Sequence, residues 1–282
     1  MAQAPQFLHI DAFTARPFAG NAAAVVLLDR PAAGPWMQSL ADDMNLSETA
    51  YVVRPAEPGL PWGLRWFTPA AEVELCGHAT LASTHALLEL GLAERGTPIR
   101  FATRFSGELV CTADDDGHIA MDFPADPPRP AEPPARLIEA LEVDPVAVTR
   151  STYDWIVELA TADEVAAAAP RFADLAAVPD TRGVALTAAG ALASVPEADF
   201  VSRFFAPSLR VDEDPVTGAL HCILGPMWAQ RLGKASLVGH QCSRRGGVVR
   251  VTHEAPDALR VTLAGQAVTL VRGTLATPVD YA

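Results

Sequence analysis

The sequence lacks any long apolar run, although half of its 282 residues are apolar. No apolar stretch approaches the roughly 18 residues that a membrane-spanning helix requires. The first ten residues, MAQAPQFLHI, also lack the basic segment and apolar core of a secretory signal peptide. From these two absences we expect a protein that neither enters a membrane nor is exported.

Cysteine is scarce, and its four positions do not show the CxxC spacing that is typical of a metal site. We therefore expect reduced thiols and a cytoplasmic protein. Basic residues are also few, since 21 lysines and arginines face 34 aspartates and glutamates, for a net charge of −13. A surface of that charge repels phosphate backbones, so nucleic acid is not an expected partner. The glycine patterns of Walker and Rossmann nucleotide sites are missing too.

Proline is concentrated in one place, the stretch FPADPPRPAEPP at 123–134. Proline of this density neither continues a helix nor enters a central strand, so residues 124–134 are predicted to form a linker. The linker separates a predicted N-terminal lobe, residues 1–123, from a predicted C-terminal lobe, residues 135–275. In one alternative the C-terminal tail returns to the first lobe.

The two lobes show the same order of elements. In each, strand-like segments precede one apolar helical stretch, at about 77–90 and about 218–232, and three more strand-like segments follow it. The segments before the helices repeat as well: RWFTPAAEVELCGHAT at 65–80 and RFFAPSLRVDEDPVTGA at 203–219 both begin with arginine, an aromatic residue, phenylalanine, a small residue and proline. A helix that is apolar on most sides must be wrapped by other structure. We therefore predict an α+β fold of two pseudo-symmetric lobes, each a curled, mostly antiparallel, barrel-like sheet around a central α-helix.

The start of each central helix is a candidate binding site. A helix N-terminus carries unpaired N–H groups and the positive end of the helix dipole, so it binds carboxylates and phosphates. Gly77 and Gly218 would let a ligand approach the backbone closely. His78 follows in the first helix, whereas Asp214 and Thr217 precede the second. If the lobes face each other, both helix starts point into one cleft that would hold a small anionic substrate. Taken alone, Asp214 and Thr217 suit plain N-capping, and His78 suits a satisfied polar residue at a helix start.

Two residues near these helices could move a proton. Cys76 precedes Gly77, and a thiolate at a helix N-terminus has a lowered pKa. The matching residue of the second repeat is Thr217, which cannot accept a proton near neutral pH, so we expect Cys76 to be structural. Glu48, in NLSETAYVV, stands just before an apolar strand, where a carboxyl group can act as a general acid or base. The alternative is a solvated glutamate in a turn, and the residues alone favour that alternative.

Four segments resemble the phenazine-biosynthesis PhzF-like isomerase family: DAFTARPFAGNAAAVV, NLSETAYVV, RWFTPAAEVELCGHATLAS and DEDPVTGALHC. They occur in the order found in the family, and the resemblance covers essentially the whole chain. It implies a diaminopimelate-epimerase-like fold of two similar lobes, each a curled sheet about a central helix, with the active site between them. It also implies a homodimer.

The resemblance implies roles for individual residues. It makes Glu48 the acid/base of the site. Ala219 stands where the family usually has serine, so a hydroxyl donor to the substrate is absent, which leaves the substrate open. Asn21, in FAGN, belongs to a family motif near the cleft, and capping of a turn is its alternative role. The expected substrate-binding residues are His78, Asp214, Gly77, Thr217, Gly218, Ala219 and Asn21.

Together these features predict a cofactor-independent isomerase that moves a proton on a small carboxylate-bearing metabolite. One alternative is an amino-acid racemase or epimerase that uses Cys76. Another is a catalytically inactive protein that binds a small molecule, which the alanine at position 219 favours. No metal is expected, because the seven histidines are scattered and His78 and His85 lie two turns apart on one predicted helix.

Overall fold

The computed structural model describes residues 4–282, and strands make up most of their regular structure. The first three residues of the predicted N-terminal lobe lie outside the described residues. The strands are β1 (Gln6–Ala12), β2 (Asn21–Leu28), β3 (Glu48–Val53), β4 (Trp62–Phe67), β5 (Glu72–Val73), β6 (Ile99–Thr103), β7 (Glu108–Ala113), β8 (Ile119–Pro124), β9 (Arg129–Pro130), β10 (Ala147–Arg150), β11 (Asp154–Glu158), β12 (Gly183–Ala189), β13 (Phe200–Ala206), β14 (Val211–Asp214), β15 (Ser236–Gln241), β16 (Gly247–Thr252), β17 (Arg260–Gly265) and β18 (Ala267–Thr274). The helices are α1 (Gly34–Met44), α2 (Gly77–Glu89), α3 (Ala135–Leu141), α4 (Ala162–Ala167), α5 (Phe172–Leu175) and α6 (Gly218–Leu232).

Two compact units divide the chain: one holds the residues up to Asp122 together with Ala264–Ala282, and the other holds Phe123–Leu263. The C-terminal lobe expected from the sequence extends to residue 275, whereas β18 pairs with β1 in the first unit. The expected linker also contains a short strand, β9, which pairs with β10 in the second unit. A two-residue strand tolerates proline because few of its amide groups are needed for pairing.

In the first unit one sheet packs against α2. Its strands pair in the order β18–β1–β2–β3–β4–β6–β7–β8, antiparallel except for the pairs β2–β3 and β4–β6. α2 packs against β1, β2, β3 and β18 and is buried on nearly all sides. Four of its buried residues are polar: His78, Thr80, Ser83 and Thr84. The hydroxyls of the last three each donate to the carbonyl four residues earlier, at 2.6–3.0 Å. These bonds allow small polar side chains to lie inside an apolar core.

The second unit repeats this arrangement around α6. Its strands pair in the order β9–β10–β11–β12–β13–β15–β16, and β11–β12 and β13–β15 are again the parallel pairs. α6 approaches β16 so closely that a Cβ added to Gly225 would lie 2.4 Å from Cγ1 of Val251. Trp228 of the same helix donates its indole N–H to Thr187 of β12. The matching order and sense of the strands confirm the predicted two copies of one α+β unit.

The repeated segment before each central helix makes the same contacts in both units. Arg65 of β4 forms two bonds to Glu72 of β5, at 2.6 and 2.8 Å, and its guanidinium lies over the phenylalanine two residues later. Arg203 of β13 forms two bonds to Glu213 of β14, at 2.7 and 3.0 Å, and also lies over the phenylalanine two residues later. Bidentate pairs fix geometry as well as charge. The repeated sequence therefore preserves in both units an arginine–glutamate pair that joins the short strand ahead of the central helix to its neighbouring strand.

The strand registers relate the two copies residue by residue. Phe67 of β4 faces the second residue of β3, and Phe205 of β13 faces the second residue of β12. These phenylalanines occupy the same place in the repeated segment. The first residues of β3 and β12, Glu48 and Gly183, therefore correspond. A Cβ added to Gly183 would lie 2.2 Å from the ring of Phe204, so the second copy has no room for a side chain there.

The two central helices are found close to where the sequence predicts them. α6 has the predicted bounds, and α2 ends one residue early, at Glu89. Pro170 lies between α4 and α5 and splits the helical pattern, because proline interrupts the hydrogen bonds of a helix. Across residues 4–282, none of the helices combines the length and the apolar character needed to cross a membrane.

Candidate functional site

The predicted site residues are distributed over both units. The first unit holds the predicted acid/base and three of the predicted binding residues: Glu48, Asn21, Gly77 and His78. The second unit holds the other four: Asp214, Thr217, Gly218 and Ala219.

The start of α2 leaves its first amide groups without a side-chain cap. The helix begins at Gly77, directly after Cys76, whose extended backbone (φ −143°, ψ 109°) marks the N-cap. Among the described residues, the Cys76 side chain makes no capping hydrogen bond to the first turn. The hydroxyl of Thr80 instead donates a hydrogen bond to the carbonyl oxygen of Cys76, at 2.6 Å. An uncapped first turn with the positive end of the dipole suits an anionic ligand.

Glu48 and His78 form an ion pair beside this helix start. Glu48 is the first residue of β3, and His78 is the second residue of α2. Nε2 of His78 lies 2.9 Å from Oε2 of Glu48, and only 7% and 17% of the two side chains are exposed. The residues alone favour a solvated turn for Glu48, and that interpretation is wrong. Packing of α2 against β3 shields the carboxyl group from water.

The charges of this cluster favour a protonated imidazole. Burial by itself lowers the pKa of His78, but the charges of Cys76 and Glu48 and the hydrogen bonds to them outweigh burial and raise it well above its ordinary value. Burial raises the pKa of the Cys76 thiol, and the charge of Glu48 adds to that rise. The Glu48 carboxylate therefore favours the charged form of His78 and disfavours the charged form of Cys76.

Glu48, Cys76 and His78 are also the residues of the described chain that could hold a metal ion. Sγ of Cys76 lies 3.6 Å from Nδ1 of His78, and one ligand atom of each residue lies within 4.8 Å of the other two. Carboxylate, thiolate and imidazole are all common ligands of Zn²⁺. The sequence does not reveal this group, because its members belong to β3 and to the start of α2 and contain only one histidine.

Asn21 begins β2 and is fully buried. Gly20 before it has φ +65°, and a Cβ there would lie 2.1 Å from the carbonyl oxygen of Ala12, so only glycine fits. Ala23 of β2 lies opposite Glu48 in the parallel pairing of β2 with β3. Asn21 therefore lies on the edge of the sheet at which Glu48 begins its strand.

A hydrogen-bond network surrounds the start of α6 in the second unit. Thr217 is the N-cap residue, and its hydroxyl donates to Oδ2 of Asp214 at 2.6 Å instead of accepting from the first turn. The fully buried side chain of Gln241 accepts from the Thr217 amide at 2.8 Å. It also donates to the Thr217 hydroxyl at 3.1 Å and to the Asp214 carbonyl oxygen at 2.8 Å. Side-chain capping by Thr217, considered from the sequence, is therefore wrong.

His221 of α6 and Thr80 of α2 make corresponding hydrogen bonds, each to the carbonyl oxygen of the N-cap residue four positions earlier. Nδ1 of His221 donates to the carbonyl oxygen of the N-cap Thr217 at 2.9 Å. Burial lowers the pKa of His221 to about 4, so its ring is neutral at pH 7. Gly218 is buried and Ala219 is exposed, and Ala219 corresponds to His78 in the first unit. The second helix start thus has a methyl group where the first has an imidazolium.

Sequence reasoning missed the role of Gln241. This residue ends β15 and lies 24 positions after Thr217, and a single glutamine at the end of a strand forms no pattern that would mark it. Its role is set by the parallel pairing of β13 with β15, in which Gln241 lies opposite Ser202.

Comparison with known proteins extends over both units. The family described as "Phenazine biosynthesis-like protein" (PhzC-PhzF) matches residues 10–273. An uncharacterized isomerase of Pseudomonas aeruginosa is 47% identical over 270 residues, which cover 96% of this chain and 98% of that protein. An uncharacterized isomerase of Halalkalibacterium halodurans is 42% identical over 268 residues, with coverages of 94% and 96%. The crystal structure of a PhzF family protein of Enterococcus faecalis has a TM-score of 0.89 at 33% identity and covers 98% of this chain and 100% of that one. This match confirms the predicted fold class.

Proposed function

The chain belongs to the family of phenazine biosynthesis-like proteins and is an isomerase, and we propose that it moves a proton on a small carboxylate-bearing metabolite, with Glu48 as the acid/base and without a cofactor. The observation that carries this proposal is the ion pair of Glu48 with His78 beside the start of α2. It combines a shielded carboxylate, a buried cation and an uncapped helix start within one unit.

The class of substrate follows from the positive potential at this place. The amide groups of the first turn of α2 and the protonated ring of His78 both attract negative charge. A carboxylate of the substrate would be held there. The same groups would stabilise the charge that develops on that carboxylate, or on a neighbouring carbonyl, when an adjacent carbon loses a proton.

Glu48 then performs both halves of the reaction. Its carboxylate removes a proton from the activated carbon, and the carboxylic acid so formed returns the proton to another carbon of the same molecule. The substrate gains and loses one proton, and the enzyme ends in its starting state. Transfer of this kind by a positioned carboxyl group contributes roughly 10²–10⁴-fold to a rate.

The second unit contributes proposed substrate contacts. Asp214 and Thr217, held in place by Gln241, stay proposed binding residues, and so do Gly218 and Ala219. The methyl group of Ala219 offers no hydrogen bond, so a substrate of this protein would not need a hydroxyl donor at that position.

A racemase that uses Cys76 has less support. Burial raises the pKa of the Cys76 thiol, so the thiolate that would act as base is disfavoured. The hydroxyl of Thr217, at the corresponding position, is already bonded to Asp214 and Gln241. Replacing Cys76 by alanine separates the two mechanisms, because proton exchange persists if Glu48 is the base and disappears if Cys76 is.

Incubation in deuterium oxide tests the proposal even while the substrate is unidentified. The protein is mixed with the small carboxylates of a cell extract, and incorporation of deuterium is followed by mass spectrometry. We expect label to enter a carboxylate over time, only when the protein is present. If no metabolite gains label although one of them binds, the chain is the inactive binding protein considered as an alternative.

Two further properties stay predictions. We propose that the protein is a homodimer, which sedimentation of the purified chain would test. We also propose a cytoplasmic location, which the four free thiols favour because reducing compartments keep cysteines unpaired. Microscopy of a tagged chain in its host would test the location.

A further inference from the structure

We propose that Glu48, Cys76 and His78 form an inhibitory binding site for one divalent transition-metal ion such as Zn²⁺. The metal would bind the carboxylate that moves the substrate proton. The inhibitory effect rests on the proposed function, whereas metal binding by the three residues does not.

The spacing of two ligand atoms already fits zinc. Zn–S bonds of about 2.3 Å and Zn–N bonds of about 2.0–2.1 Å at a tetrahedral angle place the two ligand atoms about 3.6 Å apart. The distance from Sγ of Cys76 to Nδ1 of His78 is 3.6 Å. Glu48 is the ligand that must move, because its Oε2 faces Nε2 on the other side of the ring. One ligand atom of each of the three residues lies within 4.8 Å of the other two.

The ligand types select the class of metal. A thiolate and an imidazole favour Zn²⁺ and its neighbours in the transition series over Mg²⁺ and Ca²⁺, which prefer oxygen ligands. Three protein ligands also leave the fourth position open for water or for a substrate carboxylate. With its carboxylate bound to the metal, Glu48 cannot accept a proton, so the metal-loaded protein would be inactive.

The residues of the second unit determine how many metal ions we expect each chain to bind. The positions that correspond to the three ligands hold Gly183, Thr217 and Ala219, and none of these residue types is a common zinc ligand. One metal ion per chain is therefore expected.

Cobalt provides a spectroscopic probe that needs no substrate. The full chain, reduced and freed of metals, is titrated with Co²⁺ while its absorption spectrum is recorded. We expect a thiolate-to-cobalt charge-transfer band that saturates at one Co²⁺ per chain and disappears when Zn²⁺ is added. Cys76→Ala and Cys76→Ser should both abolish the band. His78→Ala and Glu48→Gln should weaken binding by more than the ~10–100-fold that loss of an outer-shell partner costs.

The half-buried thiol Cys242 of the second unit provides the matched control. Cys242→Ala should keep the band, and circular dichroism should show that every variant is folded. A wild-type chain without the charge-transfer band, or a band that survives in both Cys76 variants, overturns the site. Because this readout is independent of turnover, it can succeed even if Glu48 is not the acid/base. Proton exchange that is unchanged by one equivalent of Zn²⁺ overturns the inhibitory role.

Discussion

The ring of Phe204 fills, above Gly183, the space that a side chain would need in the second copy of the unit. A Cβ added to Gly183 would lie 2.2 Å from Cζ of Phe204. Gly183 corresponds in strand register to Glu48, so the two copies share a fold and differ at the position that holds the carboxyl group. The duplication thus preserves the scaffold in both units and the proposed acid/base in one.

Gly183→Ala should destabilise the protein by about 1–3 kcal/mol, because the Phe204 ring must shift to admit the methyl group. Urea unfolding of the variant measures the loss. The control is Gly273→Ala, at a glycine with no atom within 4 Å of the added Cβ, which should change little. In a Phe204→Leu background the cost of Gly183→Ala should fall. Equal stability of the Gly183→Ala and Gly273→Ala variants would contradict this packing.

Arg65→Lys and Arg203→Lys should each lower the free energy of unfolding by about 1–3 kcal/mol. Lysine cannot reproduce the two parallel bonds to Glu72 or Glu213, and these pairs are largely shielded from water. The matched control is Arg100→Lys, since Arg100 forms the same two bonds to Glu108 on the surface. Exposed pairs contribute little, so this control should unfold like the wild type. If urea unfolding gave all three variants the same free energy of unfolding, the two shielded arginine–glutamate pairs would not have the stabilising role assigned to them.

Gln241→Leu should cost about 1–3 kcal/mol, because it leaves the buried Thr217 amide without its acceptor. The change should also loosen the start of α6, which amide hydrogen exchange around Thr217 would detect. Gln266→Leu removes a single exposed bond, to the Asp116 carbonyl, and serves as the control with little expected effect. Unchanged exchange at Thr217 in the Gln241 variant would argue against the network.

The sequence predicts the scaffold well because the scaffold depends on local patterns. α6 is an apolar stretch that begins at a glycine and is followed by Gly233 in the left-handed conformation, so its bounds are readable from residues 218–232. The repeated arginine segments are readable as well, because each copy uses neighbouring strands. The return of β18 to β1 is only one of two alternatives that the sequence offers, since a strand pattern does not name its partner.

The site depends on packing that no local pattern encodes. Glu48 is shielded only because α2 lies against β3, and its partner His78 comes from that helix. The helix dipole alone suggests a reactive Cys76, whereas burial raises the pKa of the thiol. Burial is a property of the folded unit, so the residues next to Cys76 in the sequence do not show that its thiol is buried.

His78 should stay protonated at pH 7 in the wild type, and its pKa should fall in Glu48→Gln. Burial lowers the pKa of His78, whereas the charge of Glu48 and the hydrogen bond to it raise that pKa, so removing the charge should lower it. Nitrogen NMR of the imidazoles measures this, with His221 as an internal reference that stays neutral.

The same shift sets the sign of a pH dependence. The folded pKa of His78 lies above its unfolded value of about 6.5, so the stability that it contributes is fully present below that pH and is lost as the pH rises through the folded pKa. Unfolding free energies of wild type and Glu48→Gln should therefore converge toward alkaline pH. A neutral His78 in the wild type at pH 7 would contradict the ion pair.

The rate of deuterium exchange into substrate by Glu48→Gln, compared with the wild type in deuterium oxide, tests the central claim most directly. Glutamine keeps the shape of the side chain but cannot accept the proton, so the rate should fall by roughly 10²–10⁴-fold while circular dichroism shows a folded protein. A Glu48→Gln protein that exchanges label at the wild-type rate would contradict the assignment of Glu48 as the acid/base.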